Sequence, residues 1–338
     1  MREVVITRAG GVDVLKIRER ADPQPQKGEV KIRVRAAGVN FADIMARKGI
    51  YPDAPKKPCV VGYEVSGVVE SVGEGVDPSL VGKEVIAVTR FGGYSEVVIT
   101  SPVQVFGKPK SISFEQAAAI PVNYLTAYQL LVVMGSLKKG ESVLIHNAGG
   151  GVGLAAIDIA RRIGAVIYGT ASSKKHEFLR QRGLGYAIDY REKDWLKEIM
   201  RLTDGKGVEL IIDPLGGRNI KKDYMALRRT GRLGLFGISA ATNTKLSAKL
   251  SLLKTVLQMP RFHSVRLMNA NKGIFGVNIG HLWGEAEKVR RWGEEIMRGV
   301  EEGWVRPHVD RVFPLEKAGE AHRYLEERQN IGKVVLVP

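Results

Sequence analysis

Three consecutive glycines, Gly149, Gly150 and Gly151, lie between an apolar run at 143–145 and a stretch whose apolar residues recur at helical spacing. Glycine lets a backbone turn sharply and bring its N–H groups against an anion with no Cβ in the way. The helix predicted from about Val152 adds unpaired N–H groups and the positive end of its dipole. Val152, Ala155, Ala156, Ile159, Ala160 and Ile163 give that helix the apolar face that packs on a sheet. A second apolar run at 165–169 completes a strand–turn–helix–strand unit. An isolated glycine cluster is often only a surface turn, but these flanks make it a site for a dinucleotide pyrophosphate.

The end of the second strand bears on which dinucleotide. NAD sites usually place Asp or Glu about 20 residues past the turn, where it accepts from the ribose 2′-hydroxyl. The stretch Thr170-Ala-Ser-Ser-Lys-Lys-His176 holds no acid, and Glu177 follows only inside the next helix. Ser172, Ser173, Lys174 and Lys175 donate hydrogen bonds to phosphate oxygens instead. The predicted cofactor is therefore NADPH rather than NADH.

Two kinds of architecture must hold these residues. Up to about residue 115 short alternating runs at 30–36, 64–72, 84–88 and 94–99 are separated by turn signals, which predicts a β-rich, barrel-like unit. From Phe114 helices and strands alternate: a helix from 114 to about 135, then strands at 186–190, 208–213 and 231–238 with a helix between each pair. That pattern predicts an α/β fold with a doubly wound parallel sheet. A helix at 285–301 and a strand at 334–337 return to the first domain. The expected division is 1–120 with 270–338 for the β-rich domain and 121–269 for the dinucleotide-binding one.

A chain of 338 residues is long enough for two cores. No run of about 18 apolar residues occurs, and the N-terminus lacks a signal-peptide core. The single cysteine, Cys59, rules out an internal disulfide and fits a reducing compartment, so the expected location is cytoplasmic. The net charge of +16 is dispersed and accompanies no nucleic-acid motif. It reads as solubility or attraction for an anionic cofactor, with no nucleic-acid partner.

Residues 244–269 interrupt the alternation. Leu246, Leu250, Leu253 and Leu257 recur at helical spacing among Lys245, Lys249, Lys254 and Arg261. A basic amphipathic helix can lie weakly on an anionic membrane. Most apolar stripes of this length are packed, so the expectation here is a helix covering the cofactor cleft or a subunit contact.

Several motifs together resemble the medium-chain dehydrogenase/reductase superfamily, and within it the zinc-free quinone oxidoreductases. They are Ala36-Ala-Gly-Val-Asn-Phe-Ala-Asp43, Gly62-Tyr-Glu-Val-Ser-Gly67, Asn147-Ala-Gly-Gly-Gly-Val-Gly153, Gly169-Thr-Ala-Ser172, Asp213-Pro-Leu-Gly-Gly217, the Pro-His-Val-Asp ending at Asp310, and Asn330-Ile-Gly-Lys-Val-Val-Leu-Val-Pro338. The chain is most similar to the branch named after a synaptic-vesicle amine-transport membrane protein. The resemblance implies a Rossmann domain and a GroES-like N-terminal domain completed by the C-terminus. Zinc dehydrogenases of the superfamily hold their metal with a Cys, a His and a further Cys or acid. Here those positions carry Asn40, Tyr63 and, near the third, Asn123, while Glu64 remains and one cysteine cannot form a structural zinc lobe. No metal site is expected.

Without a Lewis acid, the acceptor must take hydride readily by itself, as a quinone or α,β-unsaturated ketone does, and its oxygen then needs a hydrogen bond or proton. Tyr63 and Tyr51 are candidate donors. By resemblance Asn40 and Thr126 contact the nicotinamide side, Asp43 braces its loop, and Gly150, Gly151 and Val152 form the pyrophosphate turn. Ser172, Lys175, Tyr190 and Arg328 belong to the adenosine-phosphate end, and backbone groups of Leu215, Gly216, Phe236 and Ile238 to the ribose and carboxamide. Met45 stands where some quinone reductases carry Tyr. The resemblance also implies a homodimer through the edge of the Rossmann sheet. Two other readings stay open: an enoyl-thioester or alkenal reductase, and a membrane- or vesicle-associated adaptor that keeps the cofactor fold with little turnover.

Overall fold

Alternation of buried Val30, Ile32, Val34 and Ala36 with more polar neighbours gives the strand Val30–Val39 one face toward a core. In the computed structural model, which describes residues 1–242 and 247–338, this strand organises the first of two units, Met1–Leu125 with Gly280–Pro338. Its seven-stranded sheet runs in the order Val309–Pro314, Lys333–Val337, Val30–Val39, Glu64–Val72, Glu84–Val88, Val105–Gly107, with Val97–Thr100 also paired to Val30–Val39. A smaller sheet joins Leu15–Glu19, Arg2–Ile6 and Cys59–Val60. Val4, Ile6, Ile32, Val65, Val85 and Leu336 fill the core between them, each worth about 1.5–3 kcal/mol when fully buried. The C-terminal strand is antiparallel to Val30–Val39, with Val334 opposite Val39 and Val335 opposite Gly38. That register carries Lys333 to the level of Asn40.

The second unit, Thr126–Ile279, is a six-stranded sheet in the order Tyr186–Asp189, Val166–Ala171, Ser142–Ile145, Val208–Asp213, Leu227–Leu235, Gly273–Gly276. Every pairing in it is parallel. The chain starts at Ser142–Ile145, winds outward to Tyr186–Asp189, then crosses to Val208–Asp213 on the other side. The strand order therefore reverses beside Ser142–Ile145, and in such sheets ligands bind outside the carboxyl ends of the strands at this point. Gly149–Gly151 follow one of these ends, and Asp213 closes the other.

Four expectations change. The helix expected from 114 to 135 is broken into Phe114–Ala117, Pro121–Tyr128 and a π-helical turn, Gln129–Val133. Pro121 lacks an N–H and fits only the first turn of a helix, so the chain restarts there. The strand expected at 94–99 is Val97–Thr100, because Tyr94 turns its ring and hydroxyl into the core. The one expected at 231–238 is Leu227–Leu235, and Phe236 has already left the ladder.

The fourth change is in the leucine stripe, whose Leu246 and Lys245 lie outside the described residues: its described leucines are not packed within this chain, and the subunit contact expected for them stands as a proposal. The helix Ala248–Leu257 buries Ser251 and Thr255, while Leu250, Leu253 and Leu257 are 55%, 56% and 76% exposed. Small side chains face inward because the neighbouring backbone is close: a Cβ on Gly217 would stand 3.2 Å from Thr255 Cγ2. Among the described residues no helix is long and apolar enough to cross a membrane.

Candidate functional site

The glycine turn of the second unit is folded tightly on itself. Asn147 adopts a left-handed φ of 53°, and Gly150 precedes the helix Gly151–Ile163 in extended conformation. A Cβ on Gly150 would lie 2.6 Å from Asn147 Nδ2, and one on Gly153 would lie 2.5 Å from the Asn147 carbonyl oxygen. Val152 stands in the first turn of that helix, where N–H groups have no intrahelical acceptor. The stem of Lys175 crosses the turn, since a Cβ on Gly149 would meet its Cδ at 2.7 Å and its Nζ at 3.7 Å. A cationic side chain, a helix N-terminus and bare backbone thus share one spot, which suits a phosphate.

Ser172 is buried, and its carbonyl accepts from the Lys175 N–H at 2.9 Å, closing the turn Ser173–Lys175. Beside it stands an acid that the sequence reading did not bring here. Asp189, at the end of the next strand, accepts from the Ser173 N–H at 2.7 Å and the Arg191 N–H at 2.9 Å. Burial raises its pKa, but those N–H donors outweigh burial and hold it below the usual range. Its carboxylate is engaged by this loop's own backbone. Tyr190 is 37% exposed, with the Arg191 guanidinium over its ring.

At the carboxyl end of Val208–Asp213, the Asp213 carboxylate accepts from the Leu215 N–H at 2.6 Å and the Gly216 N–H at 3.1 Å. Gly216 and Gly217 follow at φ of 71° and 61°. The Leu215 carbonyl accepts from Ala240 N–H, and the Phe236 N–H donates to the Asp213 carbonyl. Leu215 thus spends both backbone groups on this loop. Beneath lies a buried cluster: His146 contacts Asp223 Oδ1 at 2.8 Å and Thr170 Oγ1 at 3.0 Å, and Asn219 donates to Asp223. Burial pushes Asp213 and Asp223 up to about 7, with the Asp223 charge adding to the effect on Asp213. Burial drives His146 down to about 4, against the pull of Asp213. Thr126, the first residue of this unit, is buried.

The first unit gathers Asn40, Tyr51 and Tyr63. Tyr63 is 8% exposed, with its ring 6.3 Å edge-on from Tyr51 and 5.1 Å from Phe91. Its hydroxyl oxygen is buried and has no hydrogen-bond partner among the described residues. Burial, then the neighbouring Tyr51 phenol, pushes its pKa far above that of an ordinary tyrosine. A protonated phenol in this setting can donate to a ligand oxygen.

Asn40 is turned the other way. Its Oδ1 accepts from Lys333 Nζ at 2.6 Å, and its Nδ2 donates to Glu64 Oε1 at 2.9 Å. Lys333 and Glu64 also pair directly, and Glu64 Oε2 accepts from the Val122 N–H at 2.7 Å, at the start of the helix after Pro121. The Asn40 backbone N–H donates to Asp43 Oδ2 at 2.8 Å, and Asp43 accepts as well from Gly62 N–H and the Tyr94 hydroxyl. Burial raises Asp43 to about 7 against these donors. Sequence reasoning missed Lys333 entirely. Arg328 belongs to this first unit, at a left-handed φ of 56° after the helix Ala318–Glu326, whereas Ser172 and Lys175 belong to the second.

Residues 26–110 match the family described as alcohol dehydrogenase GroES-like domain, and residues 182–336 match that described as zinc-binding dehydrogenase. The human synaptic vesicle membrane protein VAT-1 homolog is 39% identical over all of this chain and 86% of its own length. The chain belongs to the medium-chain dehydrogenase/reductase superfamily. Among solved structures, Escherichia coli quinone oxidoreductase complexed with NADPH superimposes with a TM-score of 0.88 at 28% identity, covering 100% of both chains. The CurK enoyl reductase superimposes with a TM-score of 0.85 at 29% identity, over 99% of this chain and 98% of that one. Among the described residues, no three His, Cys, Asp or Glu side chains converge to hold a metal ion.

Proposed function

We propose that this chain is a metal-free, NADPH-dependent reductase that delivers hydride to quinones or other α,β-unsaturated carbonyls. The observation that carries the reading is the Tyr63 hydroxyl: buried, protonated, beside the Tyr51 phenol and with no hydrogen-bond acceptor in reach among the described residues, at the position where the resemblance puts a zinc ligand. Such a group is suited to donate to the oxygen on which charge accumulates after hydride arrives. NADPH, when bound, supplies that hydride. The tight turn at Gly149–Gly151 and the first-turn N–H groups of Gly151 and Val152 are fitted to its pyrophosphate, with Lys175 across the turn. Ser172 and Lys175 with Tyr190 form the loop assigned to its 2′-phosphate end. In this reading Asn40 and Thr126 contact the nicotinamide side, backbone groups of Phe236 and Ile238 serve the ribose and carboxamide, and Arg328 belongs to the adenosine-phosphate end. The similarity to an NADPH-complexed quinone oxidoreductase supports the choice of cofactor and acceptor.

A screen of NADPH and NADH oxidation across quinones, enones and enoyl thioesters, in chelator, tests it. NADPH-specific turnover with quinones or enones is expected. Tyr63→Phe should lower kcat/KM for an enone by about 10²–10³-fold, the usual loss of one oxyanion donor, with a smaller loss for a quinone that takes its proton from solvent. Selective turnover of enoyl thioesters would move the assignment to that acceptor class. The proposed assembly is a homodimer through an edge of the parallel sheet, which sedimentation velocity would read directly.

A second reading has its own observation. Leu250, Leu253, Val256 and Leu257 are exposed together, and no Asp or Glu occurs from residue 224 to 284. An exposed apolar stripe among cations suits weak association with anionic lipid. Co-sedimentation with anionic but not neutral vesicles, without quinone turnover, would favour the adaptor role.

A further inference from the structure

The Asn40 amide is held between two buried charges. Lys333 is 3% exposed and Glu64 is fully buried, and Asn40 links them by accepting from the ammonium and donating to the carboxylate. The direct Lys333–Glu64 pair closes a three-membered ring. Reversing the amide would set its NH2 against the ammonium and its oxygen against the carboxylate, so both contacts become repulsive. The charges therefore choose the rotamer. Two backbone features make room for the ring. The Val122 N–H takes the second carboxylate oxygen at 2.7 Å. Gly38 supplies the space: a Cβ there would lie 2.5 Å from Glu64 Oε1 and 2.7 Å from both Lys333 Cε and the Ala118 carbonyl oxygen.

A side chain from the last strand thus governs a residue on the first long strand, 293 positions earlier. We infer that Lys333 is a positioning residue for the reaction: through its ion pair with Glu64 it fixes the Asn40 amide in the one orientation that the nicotinamide side requires. The inference rests on the reductase reading for what Asn40 touches, and on the ring itself for how Asn40 is held.

The test is a mutant cycle with two readouts. Lys333→Met alone strands a buried carboxylate and is expected to fold poorly, so the informative background is Lys333→Met with Glu64→Gln, which removes both charges at once. In the wild type, the Asn40 side-chain amide protons, assigned by their loss in Asn40→Ala, should give one sharp, exchange-protected pair in a 15N-resolved NMR spectrum. In the double variant that pair should broaden or lose its protection. In turnover with NADPH and a quinone, the double variant should lose about tenfold in kcat, as expected when a reacting group is no longer held in place, with KM for NADPH changed less. Adding Asn40→Ala should cost kcat in the wild type and almost nothing in the double variant. An Asn40 amide equally sharp and protected in the double variant, or an equal Asn40→Ala cost in both backgrounds, overturns the inference. A wild type with a protected amide and no turnover on any quinone, enone or enoyl thioester instead overturns the reductase reading, and with it the reactive role given to Asn40.

Discussion

The two units each bury a cluster of ionisable groups, and they neutralise it differently. In the first, Glu64 lies against the ammonium of Lys333, with Asn40 bridging the two. In the second, Asp213 and Asp223 are met by a neutral His146, an Asn219 amide and backbone N–H groups. The carboxyls of Asp213 and Asp223, raised to about 7 by burial, change state near neutrality. The first unit thus pairs its Glu64 charge with an ammonium, next to an Asp43 carboxyl that burial also raises to about 7. The second sets the loop at Leu215 and Gly216 on groups that titrate.

The largest expected effect breaks the first cluster. Removing the Lys333 ammonium alone should cost about 3–5 kcal/mol of stability, because it leaves a buried carboxylate uncompensated. Neutralising both partners should recover most of that, and chemical denaturation of the single and double variants checks the difference. Equal losses would mean that the ammonium compensates nothing. Next in size is the charge at the glycine turn. Lys175→Glu should raise KM for NADPH by about 10–100-fold, the loss of a charge-assisted contact worth roughly 1.5–3 kcal/mol. An unchanged constant would take Lys175 out of the site.

The smaller effect sharpens the contrast through pH. Burial raises Asp223 to a folded pKa of about 7 against an ordinary value of 3.8, so between these limits the folded state binds the extra proton. Its contribution is fully present below 3.8 and is lost as pH rises through 7, at up to about 1.4 kcal/mol per unit. Asp223→Asn should flatten the fall of stability measured between pH 5 and pH 8. A slope identical to wild type would place the titration elsewhere.

Much of this frame was legible because it is local. The strands at 64–72, 84–88 and 208–213 follow from period-two patterns and turn residues, and the glycine turn from its flanking runs. The break at Pro121 is equally local, since proline fits only a helix's first turn, yet the continuous helix expected over 114–135 passed over it. What escaped depends on register between distant segments. Nothing near Lys333 marks it as a partner of Asn40; only the pairing of the last strand with Val30–Val39 brings them together. Asp189 reaches Ser173 because two parallel strands end side by side, and an acid sought within the loop is missed. The leucines of Ala248–Leu257 keep helical spacing, yet their stripe points outward: the helix buries Ser251 and Thr255 instead, with Thr255 close against Gly217.

Single-turnover kinetics on chelator-treated protein with verified metal content bears most directly on the central claim. NADPH-bound protein mixed anaerobically with a quinone should lose nicotinamide absorbance at full rate with no bound metal, and much faster than with NADH. Loss of that reaction on chelation with recovery on adding zinc, or no detectable binding of NADPH, would contradict it.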